Sequence, residues 1–165
     1  MPATYEPIST QTLGTAVATV TFSSIPATYT DLVLVYEGGN SGNIYDGTFA
    51  RFNSDTASNY SWTYLLGNAS SATTGRESSV TKTGVGATGA SRGISILNIM
   101  NYSNTTTYKT ILNRRSVTDA SGYSLGAEVG LWRSTAAISR VDLTVQSGTN
   151  FDTGSTFTLY GIKAA

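Results

Sequence analysis

A two-residue rhythm constrains this chain more than any other feature. Val141, Leu143 and Val145 interleave with Arg140, Asp142, Thr144 and Gln146, and Leu125, Ala127, Val129 and Leu131 interleave with Gly126, Glu128, Gly130 and Trp132. That period belongs to strands with one face in a core and one in solvent, because successive side chains leave a strand on opposite sides. Comparable runs occur at 17–22, 31–37, 48–52, 60–66, 94–102, 107–117 and 156–162, and the alternation at 140–146 extends back to 138. Gly, Asn, Asp and Ser gather between them at 38–43, 101–104, 119–122, 134–135 and 147–154, where the backbone must reverse.

Nine or ten short strands without a long helical pattern predict an all-β, two-sheet antiparallel sandwich of jelly-roll type, with a closed barrel as the structural alternative. A length of 165 residues suits one domain with one core, so residues 1–165 are read as a single β-sandwich domain. Residues 1–13 read as an N-terminal arm that can exchange between subunits. Residues 70–91 are Gly, Ser, Thr and Ala with only Val80 and Val85 as apolar anchors, and are expected to form a long loop. Residues 53–59, NSDTASN, carry the capping residues of a single helical turn or an Asx-type turn.

Composition excludes more chemistry than it offers. The chain has no His and no Cys, and 48 of its residues are Ser or Thr, so the usual groups for proton transfer and metal ligation near neutral pH are scarce. Ten basic and ten acidic residues cancel, and only 12% of residues are charged, which leaves no field to draw nucleic acid or an anionic membrane. No basic leader precedes an apolar run, and 32–36 is the longest unbroken apolar stretch, so neither secretion nor membrane anchoring is expected. Four matches to the N-glycosylation acceptor pattern, at Asn59, Asn68, Asn101 and Asn104, are what chance supplies in so Asn-, Ser- and Thr-rich a chain.

Several local patterns invite a chemical reading. Gly84-Val85-Gly86-Ala87-Thr88-Gly89 matches GxGxxG, but a strand-like segment follows it instead of a helix, and Lys109 stands where a ribose-binding acid is needed. It reads as a flexible glycine-rich loop. Asp31, Asp46, Asp119, Asp142 and Asp152 fall in turns or on exposed strand faces, and their spacing selects no pair for glycoside hydrolysis. A serine nucleophile would need Lys82, Lys109 or Lys163 buried beside it. Asp152 and Asn150 lack the dense acidic order of a calcium loop. Arg114 and Arg115 point to opposite faces of a strand and make no nucleic-acid patch. No catalytic residue, cofactor or metal is therefore assigned.

Tyr60, Trp62 and Tyr64 alternate along one strand, so their side chains share a face about 7 Å apart. Such a strip serves as core, as a subunit interface, or as a platform for sugar rings. Trp132, on the face of Gly126, Glu128 and Gly130, poses the same alternatives, with a packing contact favoured by the flanking glycines.

Residues 1–8 (MPATYEPI), 20–34 (VTFSSIPATYTDLVL), 51–55 (RFNSD), 58–60 (SNY) and 154–162 (GSTFTLYGI) resemble small virion structural proteins of tailed bacteriophages, of the cyanophage and marine type. The likeness covers about half the chain and omits the middle loop. Such modules serve as head decoration (cement) proteins or within tail fibres. The resemblance implies a non-enzymatic virion protein, a homotrimer seated on the major capsid protein at the phage capsid surface, with no catalytic residues to carry over. It also implies an alternative, a tail-fibre or baseplate module that holds a host-surface glycan on the Tyr60, Trp62 and Tyr64 strip.

Overall fold

A computed structural model describes residues 4–42, 45–68, 70–89, 91–119 and 122–163, so the first three residues of the expected arm, residue 43 of the first turn and residues 120–121 of the third lie outside the described residues. Twelve strands are present: β1 (Tyr5–Thr12), β2 (Thr19–Phe22), β3 (Asp31–Gly38), β4 (Asp46–Phe52), β5 (Tyr60–Asn68), β6 (Ala72–Val80), β7 (Thr83–Thr88), β8 (Gly93–Ile99), β9 (Lys109–Asp119), β10 (Gly122–Trp132), β11 (Val141–Val145) and β12 (Thr156–Ile162). They form an eight-stranded sheet, β1-β12-β3-β8-β9-β10-β5-β6, and a four-stranded sheet, β2-β11-β4-β7, antiparallel throughout. Among the described residues no helix is long and apolar enough to cross a membrane.

The topology is a jelly roll with two additions. Setting β5, β6, β9 and β10 aside leaves β1-β12-β3-β8 facing β2-β11-β4-β7, in which β1 pairs with β12, β2 with β11, β3 with β8 and β4 with β7. That is one long antiparallel hairpin rolled into two four-stranded sheets. The β5–β6 and β9–β10 hairpins are inserted after its fourth and sixth strands. Both join the same sheet and double its width.

Alternation builds the core. Leu32, Leu34 and Tyr36 of β3, Leu97 and Ile99 of β8, and Phe157 and Leu159 of β12 face Val20 and Phe22 of β2, Ala50 and Phe52 of β4, and Val141, Leu143 and Val145 of β11, all buried. Phe157 is the hub of an aromatic group, stacked on Tyr36 at 5.4 Å and edge-on to Phe151 at 5.0 Å.

Two expectations need correction. Residues 70–91 are not a long loop: β6 and β7 occupy most of the segment. β6 is an edge strand exposed along most of its length, so it is held by main-chain bonds to β5 and carries no hydrophobic period. β7 is buried throughout without large side chains, because its small residues let neighbours approach. A Cβ on Gly84 would meet the Trp62 ring at 2.7 Å, and one on Gly86, whose φ is +147°, would meet the Tyr36 hydroxyl. The GxGxxG glycines therefore make room for packing. Residues 5–12 of the N-terminal arm form a strand that the alternation did not predict, the edge strand β1, paired within the chain beside β12 with a bulge between Pro7 and Ser9. The count of twelve strands exceeds nine or ten for these same reasons.

Candidate functional site: an aliphatic sheet face and an aromatic cleft

The strip of three aromatics is divided by the structure. Tyr60 is core: its ring stacks with Trp132 at 6.2 Å, and its hydroxyl accepts from the Phe52 amide at 3.0 Å. Trp132 is buried against Phe52 and Tyr60, and its indole N–H donates to Asp55 Oδ2 at 2.7 Å. The packing reading of Trp132 holds, and neither ring is a surface platform. Trp62 and Tyr64 remain half-buried, 5.0 Å apart, with Trp62 edge-on to Phe49 of the smaller sheet at 5.9 Å. Together with Tyr45, Gln146, Glu77 and Arg115 they line an open cleft of about 260 Å³ where the β5–β6 hairpin passes the β7 edge.

Beneath this cleft lies a buried ion pair that the sequence did not announce. Arg115 Nε donates to Glu128 Oε1 at 3.0 Å, Asn113 Nδ2 donates to Glu128 Oε2 at 3.0 Å, and Arg115 Nη2 donates to the Tyr45 hydroxyl at 2.6 Å. Burial raises the Glu128 carboxyl above its ordinary value and outweighs the opposing pull of Arg115 and Asn113. Arg115 Nη1 is buried without a hydrogen-bond partner among the described residues. The available signal was alternation alone: Glu128 shares the inward face of Trp132, and Arg115 that of Ile111 and Val117. Arg114 faces outward, as expected of its neighbour in a strand.

Five of the other acids have structural partners. Asp142 is held by Arg140 at 2.8 Å, Glu6 by Lys163 at 2.7 Å, Asp31 by the Asn101 amide, Asp46 by the Ser147 amide at 3.0 Å, and Asp55 by Asn59, Ala57 and Trp132. The 53–59 segment is an Asx-type turn, with Asp55 Oδ1 accepting from the Ala57 amide at 2.9 Å. Asp152 packs against Gly39 and caps the Ser155 amide through its carbonyl. Of the three lysines, Lys109 is buried and donates to the Thr107 and Thr135 carbonyls. Among the described residues no three or more acids gather at metal-binding distance. The Asp119 side chain lies outside the described ones.

The second candidate surface is the outer face of the eight-stranded sheet. Ile94 of β8, Leu112 of β9, Leu125 and Val129 of β10, and Leu65 of β5 all point outward, each 47–65% exposed. Register makes them contiguous: Val129 stands opposite Leu112, Leu65 opposite Ala127, and Ile94 and Leu125 both opposite Ser116. Arg114 stands among them, between Ile96 and Ala127, with Glu37 opposite Ile94 and Arg76 opposite Thr63 at the margins. Scattered exposed aliphatics are ordinary, whereas a contiguous set across four central strands marks a contact surface.

No protein-family model matches this chain, and no curated protein or solved structure matches it either.

Proposed function

We propose that this chain is a non-enzymatic structural protein of a phage particle, a head decoration (cement) protein that acts as a homo-oligomer, a trimer seated on the major capsid protein. The observation that carries the reading is the aliphatic outer face of the eight-stranded sheet. The four strands that carry the aliphatics, at a spacing of ~4.8 Å with about seven residues at ~3.3 Å each, make a patch of roughly 440 Å², about half of the ~800 Å² per partner of a stable protein contact, and the rest of the sheet face continues it. An aliphatic patch with Arg114 among its side chains and Glu37 and Arg76 at its rim, on a chain with no net charge, suits contact with other subunits. The resemblance of residues 1–8, 20–34 and 154–162 to phage virion proteins supplies the particle. Many such contacts around a shell act together, and binding only to the assembled shell favours assembly by mass action.

Two measurements test this. Quantitative mass spectrometry of purified virions should find the chain on heads at hundreds of copies per particle. Light scattering of the isolated protein should give a trimer that Leu112→Asp combined with Val129→Asp converts to folded monomer. A wild-type monomer with no affinity for any particle sinks the proposal.

A further inference from the structure

We infer that the outer face of the four-stranded sheet, on the opposite side of the molecule, binds an acidic saccharide, with Arg51 and Lys82 taking its anionic group and the Trp62 cleft its sugar ring. The inference is independent of the reading above.

Beside the aromatic cleft runs a second groove of about 270 Å³, lined by Arg51 of β4, Lys82 of the β6–β7 turn, Arg140, and Asp142, Thr144 and Thr19 of the neighbouring strands. Three cations meet one carboxylate here, and that carboxylate is already committed. Arg140 Nε donates to Asp142 Oδ1 at 3.0 Å and Oδ2 at 2.8 Å, Nη2 donates to Oδ1 at 2.8 Å, and Thr21 supplies a further bond at 2.6 Å. Arg51 Nε donates to the Thr81 carbonyl at 3.2 Å, and Lys82 lies 4.3 Å over the Phe49 ring. Among the described residues neither Arg51 nor Lys82 forms an ion pair. Burial first, and then the charge of Arg51, lower the Lys82 ammonium below its ordinary value against the opposing pull of Asp46. In a chain of zero net charge, two unpaired cations in one groove are a local excess with a ligand's sign.

The groove and the cleft meet at Phe49. Its ring carries Lys82 on one side of the boundary and the edge-on Trp62 on the other, and Phe49 itself lines the cleft. Each space is slightly below the ~300 Å³ of the smallest drug-sized pockets, hence of single-ring size. Aromatic walls cover the C–H faces of a pyranose, Gln146 and Glu77 offer hydrogen bonds to its hydroxyls, and the Arg51 guanidinium presents a planar fork to a carboxylate, sulfate or phosphate ester. A free phosphate or a neutral sugar would use only half of this surface.

Isothermal titration of the full chain tests it with four probes: an oligogalacturonate, a heparin-derived oligosaccharide, a neutral dextran oligosaccharide and inorganic sulfate. We expect at least one acidic oligosaccharide to bind, with dextran and sulfate about tenfold weaker or worse. Arg51→Gln with Lys82→Gln should weaken that binding about tenfold at unchanged thermal stability, Trp62→Phe should separately weaken it about tenfold, and Lys163→Gln should leave it alone. The inference is overturned by no binding of either acidic probe, by sulfate alone matching them, or by undiminished binding in the Arg51/Lys82 variant. Oligomeric state, read in the same samples, reports separately on the aliphatic face.

Discussion

Asp55 does more than its position in a turn requires. Its carboxylate accepts from the Ala57 amide, the Asn59 side chain at 3.0 Å and the Trp132 indole at 2.7 Å, and the hydroxyl of Tyr60 reaches its carbonyl at 3.3 Å. One acid thus ties a surface turn to the largest buried ring in the molecule. Asn59 first, opposed by burial and aided by Trp132 and Ala57, holds this carboxyl below the ordinary carboxylate value. A depressed carboxyl stabilises the fold fully above the unfolded value of ~3.9 and loses that contribution as pH falls through the folded value. Thermal unfolding from pH 6 to pH 2.5 should therefore show a steeper acid loss in wild type than in Asp55→Asn. At pH 7, Asp55→Ala should cost about 2 kcal/mol in urea unfolding, because the indole N–H is left unpaired. The Asx turn itself was legible from the order of Asp, Asn and Ser in 53–59. The bond to Trp132 was not, because local residue order says nothing about a partner 77 positions away.

At the scale of elements, the two inserted hairpins explain both what the sequence disclosed and what it withheld. β9 and β10 alternate cleanly, since one side meets the core and the other carries the exposed aliphatics. β6 alternates in nothing, because a strand at a sheet edge with solvent around it needs only main-chain pairing. β7 hides for the opposite reason, being buried on every side by means of small residues. Half of the aromatic strip was likewise legible: shared direction followed from alternation, but which rings met core and which met the cleft depended on where β7 lies. The Arg115–Glu128 pair belongs to this level too, since it fastens β9 to β10 beneath the cleft. Glu128→Ala should destabilise the protein by about 3–5 kcal/mol, whereas Arg115→Met with Glu128→Leu should recover most of that loss, as chemical denaturation of the three variants will read. A double variant as unstable as Glu128→Ala would mean that the pair is needed for packing rather than merely for charge balance.

For the molecule as a whole, the sandwich class was foreseeable from short strands, frequent turns and the lack of helical periodicity. The unequal sheets were not, because a period of two fixes which way a side chain points and leaves open which strand lies beside which. Pairing is dominated by partners far apart in the chain, the first strand with the last and the second with the next to last. Such closures come late and slowly. Refolding followed by tryptophan fluorescence should accordingly run on a scale of roughly milliseconds to seconds, and a microsecond phase carrying the full amplitude would contradict this.

The seam between β1 and β12 has a further consequence. Tyr5 lies opposite Ile162, the Lys163 amide donates to the Thr4 carbonyl at 3.1 Å, and the Lys163 ammonium grips Glu6, so residues 4 and 163 meet at one corner. Polypeptide joined ahead of residue 4 or beyond residue 163 therefore sets out from one corner of the sheet. The unit can hang from a host chain as a leaf hangs from a twig, and a short loop from 163 back to 4 would let it be cut open elsewhere without disturbing the roll.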